Sequence, residues 1–112
     1  MDDKISDVHN FLIGIARRKQ LTTYTDAGAV AGLRMASESG RILIAQILDD
    51  INTMEVADGA PMISALVIYH DGNRPGPGFF TCARNLGRLR DNDEDGFWAR
   101  EVAAVHKYWA SH

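Results

Sequence analysis

Cysteine occurs once in the 112 residues, at Cys82, which excludes an internal disulfide framework and any zinc site built only from thiolates. No apolar stretch approaches the roughly 20 residues that a bilayer-spanning helix needs, so no membrane partner is expected. Basic excess is also missing: 12 Lys and Arg stand against 15 Asp and Glu, a net charge of −3, whereas a dedicated nucleic-acid binder normally carries a strong surplus of Lys and Arg. His9, His106 and His112 have no histidine four residues away and no glutamate at metal-site spacing, so neither a metal nor another cofactor is expected. The opening Met1-Asp2-Asp3-Lys4 has acid where a secretory leader has base, and the expected location is cytoplasmic. There is no internal repeat and no low-complexity tract. What remains is 46% apolar and 24% charged, ordinary globular composition for one domain spanning 1–112.

Hydrophobic spacing supplies the elements. Ile5, Val8, Phe11, Leu12, Ile15 and Ala16 recur at three and four, predicting an amphipathic helix over 2–19. Asp2, Asp3 and Asp7 at its start and Arg17, Arg18 and Lys19 at its end complement the helix dipole. Leu21-Thr22-Thr23-Tyr24-Thr25 is a short β-branched segment. Thr25 or Asp26 then caps a small helix from Ala27 to Leu33, kept slim by Gly28 and Gly32 for a close neighbour. Ser37 or Ser39 caps a third helix that turns Ile42, Leu43, Ile47, Leu48 and Ile51 inward and ends near Asn52. Asp49 and Asp50 then fall at its C-terminus, where the dipole disfavours anions. Thr53 to Gly59 reads as a linker, and the apolar run Met62 to Tyr69, bounded by Gly59, Pro61 and Gly72, as a buried strand. Phe79 to Leu89 is expected to begin extended and become helical, with Arg84 and Arg88 on one side. A last helix from Phe97 to His112 presents Trp98, Val102, Val105 and Trp109 along one face. The fold class is α+β, a mainly helical domain with a small sheet around 62–69 and a winged-helix-like arrangement.

Candidate chemistry is thin. His70-Asp71 follows the strand, where catalytic residues often lie, but Ser64 falls within the strand and Cys82 beyond the loop, so no nucleophile partners it. Asp71-Gly72 is itself a turn signal. Cys82, after Phe79-Phe80-Thr81, reads as a small buried hydrophobe, with Arg84 as its one cation close in sequence. Asp91, Asp93, Asp95 and Gly96 match the first half of a calcium loop, yet the twelfth position is Val102 rather than a chelating glutamate. An acidic helix start accounts for the same residues. The loop His70–Gly78, with Pro75, Pro77 and its glycines, is stiff and suits recognition better than catalysis.

Residues 21 to about 78 carry Thr22-Thr23-Tyr24-Thr25-Asp26, then a small helix Ala27 to Leu33, then Gly40 at a helix start and Pro61 before an apolar run. In these features the chain resembles the C-terminal domain of the alkylguanine-DNA alkyltransferases and alkyltransferase-like proteins. The resemblance implies a winged helix-turn-helix topology that grips DNA, and Tyr24 matches a residue with a phosphate-contacting role. The family's Pro-Cys-His-Arg falls on Pro61-Met62-Ile63-Ser64, so nucleophile, base and arginine are missing. Ser37 stands where the family has the arginine that props the duplex open. Alkyl transfer is excluded, and what the resemblance implies is a scaffold without its chemistry.

The function expected from these features is a small non-enzymatic binding protein that inhibits or regulates a protein partner with a basic surface, in the manner of immunity proteins or antitoxins. Asp91, Asp93, Glu94 and Asp95, with Arg74, Tyr108 and Trp109, are the candidate contact residues. The alternative is a winged-helix DNA-binding regulator that uses Tyr24, Arg34 and Arg41, with Arg74 on the loop as a wing.

Overall fold

In a computed structural model, which describes residues 3–112, the spaced apolar residues of the opening segment form α1, Asp3–Arg17, with Val8, Leu12, Ile15 and Ala16 buried. Asp2, expected in its first turn, lies outside the described residues. The chain leaves α1 through Lys19 in the left-handed region, φ 56°. β1 is only Thr22–Thr23, and α2 runs Tyr24–Val30. Its cap is Thr23, which accepts from Asp26 N at 3.2 Å, one turn earlier than the expected Thr25 or Asp26. Gly28 is the close approach anticipated from sequence, since a Cβ there would come within 2.5 Å of the Met35 methyl. Gly32 instead serves a turn at φ +73° with open space beside it.

Ser37 caps α3, accepting from Gly40 N at 3.0 Å. This helix spans Glu38–Ala57, so the expected linker at 53–59 is helical almost throughout. Asp49 and Asp50 therefore sit inside the helix, and the dipole argument against them at a C-terminus does not apply. The inward row begins with Ile44, Ile47, Leu48 and Ile51 and continues into two polar residues, Asn52 and Glu55. Both have partners: Asn52 bonds Ser64, and Glu55 pairs with His9 on α1.

The expected strand 62–69 is mostly something else. Ile63–Leu66 forms a 3-10 turn, and only Val67–Ile68 is strand (β2), parallel to β1 in the register Thr22↔Val67 and Thr23↔Ile68. All residues from Ala60 to Ile68 are buried, and α1, α3 and α5 pack on the 3-10 turn. Burial on all sides, rather than extension, produced the apolar run. The segment expected to begin extended is α4, Pro77–Asn85, with Pro77 in its first turn, where its missing N–H costs nothing. Asp93 caps α5, Glu94–Ala110, by accepting from Gly96 N at 3.0 Å.

The elements make one mainly helical domain with a small two-stranded parallel sheet. Trp98, Val102 and Val105 of α5 pack in its core as the stripe predicted. Trp98 Nε1 donates to the carbonyl of Ala65 at 2.8 Å. Among the described residues no helix is long and apolar enough to cross a membrane.

Glu101 is the strongest tie to the central segment. It is 4% exposed, accepts from Met62 N at 3.0 Å and receives two donors from Arg88. Glu101→Ala leaves a buried N–H and a partly buried guanidinium unpartnered, and should cost about 3 kcal/mol. Glu101→Gln keeps an acceptor for Met62 and should cost less. Urea midpoints at unchanged m-value measure both; an alanine variant as stable as wild type would refute the role.

Candidate functional site

A cleft of about 340 Å³ opens between α3, the start of α2, the end of β2 and the start of α4. Helical spacing puts Arg41, Ile44, Ala45, Leu48 and Asp49 on one face of α3, which forms a wall. Ser64 and Ile68 lie at its base, and Tyr69, Gly76 and Phe79 face α3 across it. The lining is mostly apolar, with a few polar groups placed along it, the composition of a ligand site.

Two tyrosines form the mouth. The Tyr24 and Tyr69 rings tilt against each other at 4.9 Å between centroids. Tyr24 Oη accepts from the backbone N–H of Gly76 at 2.8 Å, which ties the α2 start to the loop. Burial pushes the Tyr24 phenol up from its ordinary range, and the Gly76 N–H partly offsets this. Gly76 lets the rings come close: a Cβ there would lie 2.6 Å from Tyr69 Oη and 3.3 Å from Tyr24 Oη, so Tyr69 would have to shift. Tyr69 itself is 49% exposed. The loop beyond it closes as a tight turn, with Tyr69 N donating to Arg74 O at 2.9 Å and Asn73 in the left-handed region at φ 50°. His70 and Asp71 are exposed on it.

Beneath the cleft lies a polar cluster. Asn52 Oδ1 accepts from Ser64 N at 3.2 Å, its Nδ2 donates to Ser64 Oγ at 2.7 Å, and the same nitrogen is 4.0 Å from Cys82 Sγ. Asp49 lies one helical turn before Asn52, near enough to Cys82 for each group to shift the other's titration. Burial raises the Asp49 carboxyl, the thiol's hydrogen bond counteracts this, and neighbouring Asp50 adds to the rise. Cys82 is pushed up to about 11, first by burial and then by the Asp49 charge. Such a thiol is protonated at neutral pH and a poor nucleophile, as its apolar setting in the sequence implied.

The residues singled out from sequence divide among four places. Tyr24 and Arg41 meet at the cleft, although Arg41 also donates to Met35 O at 2.8 Å. Arg34 is exposed on the turn before α3. The acidic segment lies at the start of α5, interleaved with arginines. Arg74 Nη1 reaches Asp95 at 2.7 Å, Arg84 lies 3.6 Å from Glu94, and Arg100 lies 3.8 Å from Asp93. Asp91 accepts from Asp93 N at 3.0 Å. Exposed pairs of this kind contribute little stability, but they neutralise much of the local charge. Arg74 also lies over the Phe80 ring at 5.4 Å. Tyr108 and Trp109 are half-buried at the far end of α5. There Tyr108 stacks on His112 at 3.9 Å, and Trp109 meets His9 edge-on at 6.3 Å. Tyr69, Ser64 and Phe79 were missed as site residues. The signal for Tyr69 was an aromatic at the last position of the apolar run, immediately before a glycine-rich turn.

The thiol gives a pH test. The unfolded chain's cysteine ionises near 9, while the folded one keeps its proton to about 11. The unfolded state therefore loses its proton first, and stability should be level below pH 9 and fall between about 9 and 11. Tyr24, raised in the same direction, adds to the fall at the alkaline end. Unfolding curves of wild type and Cys82→Ala across this range should show a shallower decline in the variant. Parallel curves would contradict the buried protonated thiol.

No protein-family model, curated protein or solved structure matches this chain.

Proposed function

We propose that this chain is a small non-enzymatic binding protein that regulates a protein partner by inhibition, in the manner of an immunity protein or antitoxin, and that the Tyr24–Tyr69 cleft is the centre of its contact. The observation that carries the reading is the cleft: mainly apolar, preformed by the Tyr24–Gly76 tie, and flanked by exposed Tyr69 and Ile42, 49% and 51% accessible. Aromatic and aliphatic groups around a pocket are the usual anchors of an interface. The two candidate nucleophiles are restrained: Ser64 is held by the Asn52 amide, and Cys82, beneath the cleft, keeps its proton. The acidic segment Asp91 to Asp95, with Arg74, forms a polar belt beyond the α4 side of the cleft, where it suits a rim.

A DNA-binding regulator of winged-helix type is the second reading, favoured by Tyr24 and Arg41 meeting at one cleft. Against it, the loop expected as a wing runs into α4 rather than into a returning strand, and Arg74 is paired with Asp95.

Two measurements test the proposal. A photo-crosslinking residue at Ile42 should join one polypeptide that the same residue at Lys107 does not. Ala45→Trp, which fills the cleft, should weaken binding of that isolated polypeptide by about 100-fold, the scale of a lost hot spot. Crosslinks independent of position, or nanomolar binding to duplex DNA at about 150 mM salt, would overturn it.

Charge has a separate signature. Replacing Asp91, Asp93, Glu94 and Asp95 with Asn or Gln uncovers Arg74, Arg84 and Arg100. It should slow association with a basic partner several-fold at low salt and flatten the salt dependence, with dissociation nearly unchanged. An association rate indifferent to both salt and substitution would remove the belt from the contact.

A further inference from the structure

The polarity of the cleft floor is dictated by the backbone. The Ser64 N–H can only donate, so the Asn52 atom facing it at 3.2 Å must be the carbonyl oxygen. The other end of that amide, 2.7 Å from Ser64 Oγ, is then the NH₂ group and must donate. Ser64 Oγ is thereby an acceptor toward Asn52, and its own proton points elsewhere. No described residue accepts it, although Ser64 is only 3% exposed. Ser64 lines the cleft, so the cleft base offers a hydroxyl whose proton is turned away from Asn52 and left for a ligand to accept. On the α3 wall, one helical turn before Asn52, Asp49 lines the same cleft with a carboxylate. A carboxylate has about four lone-pair sites with which to accept from a ligand.

A buried donor next to an acceptor-only group selects a ligand with the opposite pair. Resting on the reading of the cleft as the contact centre, we infer that the cleft recognises an amide of the partner polypeptide, an Asn or Gln side chain or a main-chain peptide unit, with its carbonyl oxygen on Ser64 and its N–H on Asp49. Apolar neighbours Ile44, Leu48, Ile68 and Phe79 cover the amide plane and keep water from competing. An apolar side chain in that place leaves the Ser64 proton unpartnered, and an ammonium group satisfies Asp49 alone. Selection against both follows from unmet polar groups.

Small probes isolate the point. Benzamide, toluene, benzylamine and uridine are titrated separately into the full chain while the amide resonances of Tyr24, Ser64, Tyr69 and Phe79 are followed. Benzamide should bind about threefold to tenfold more tightly than toluene, the yield of one net hydrogen bond. Ser64→Ala should cut that advantage about threefold and leave toluene binding unchanged, and an undiminished advantage would overturn the inference. If Ser64→Ala lacks the native circular dichroism spectrum, Asp49→Ala, on the exposed wall, replaces it. That variant should cut the benzamide advantage about threefold, and an undiminished advantage would overturn the inference. Equal binding of toluene and benzamide defeats the inference but leaves the cleft as a contact centre. Tightest binding by benzylamine assigns selection to the carboxylate alone, and tightest binding by uridine assigns the site to nucleic acid; each overturns the amide. Failure of every probe to move these resonances overturns the cleft reading and the inference together.

Discussion

The structure is built around one constraint: the chain from Ala60 to Ile68 is buried on every side yet is not a full strand. A strand would satisfy its backbone through two neighbours. A 3-10 turn leaves more N–H and C=O groups to be met by side chains, because each buried polar group left alone costs on the order of 1–3 kcal/mol. Three side chains from two helices meet that need. Glu101 from α5 takes the Met62 N–H, Asn52 from α3 takes the Ser64 N–H, and Trp98 from α5 gives to the Ala65 carbonyl. These contacts fix how α3 and α5 sit on the central segment, and α1 closes over the same turn.

The cleft follows from this arrangement. Asn52 serves the interior with its carbonyl oxygen and the cleft with its NH₂ group, so the bond that anchors α3 also turns the Ser64 proton away from Asn52. On the opposite side, the Tyr24 hydroxyl holds Gly76 and so the start of α4. The two walls are thus tied to the core independently, one through α3 and one through the α2 start. A cleft built in this way is preformed, and binding there loses little free energy to ordering.

Legibility from the sequence tracked how regular each element's surroundings are. α1 and α5 each have one buried stripe, so their periodicity was plain; at the beginning of α3, Ile42 and Leu43, expected to face inward, are exposed instead. The second half of α3 was lost because Asn52 and Glu55 occupy inward positions where an apolar residue was sought. The run 62–69 looked like a strand because total burial erases period and leaves only composition. α4 was hidden by Pro77, which marks a helix start as readily as a loop. The cleft was partly visible through Tyr24 and Arg41. Its other members come from positions 25 to 79, and only the tertiary fold places them together.

The residues that broke the sequence patterns do specific work in the fold. Asn52 interrupts an apolar row and orients Ser64; Glu55 interrupts it again and meets His9; Glu101 lies buried within an otherwise apolar stripe and secures Met62. Buried polar groups lower stability unless fully partnered, so an apolar residue at each place would have packed more simply. At 52 the partnering has a further effect. Leucine there would hold α3 by packing but leave the Ser64 hydroxyl free to rotate, and a freely rotating hydroxyl can accept as well as donate. Asparagine narrows that choice, because its oxygen is committed to a backbone N–H and its NH₂ fills one of the serine's two acceptor sites. The polar interruption of α3 therefore turns the Ser64 proton away from the core, where a ligand that accepts it meets the donor otherwise left over.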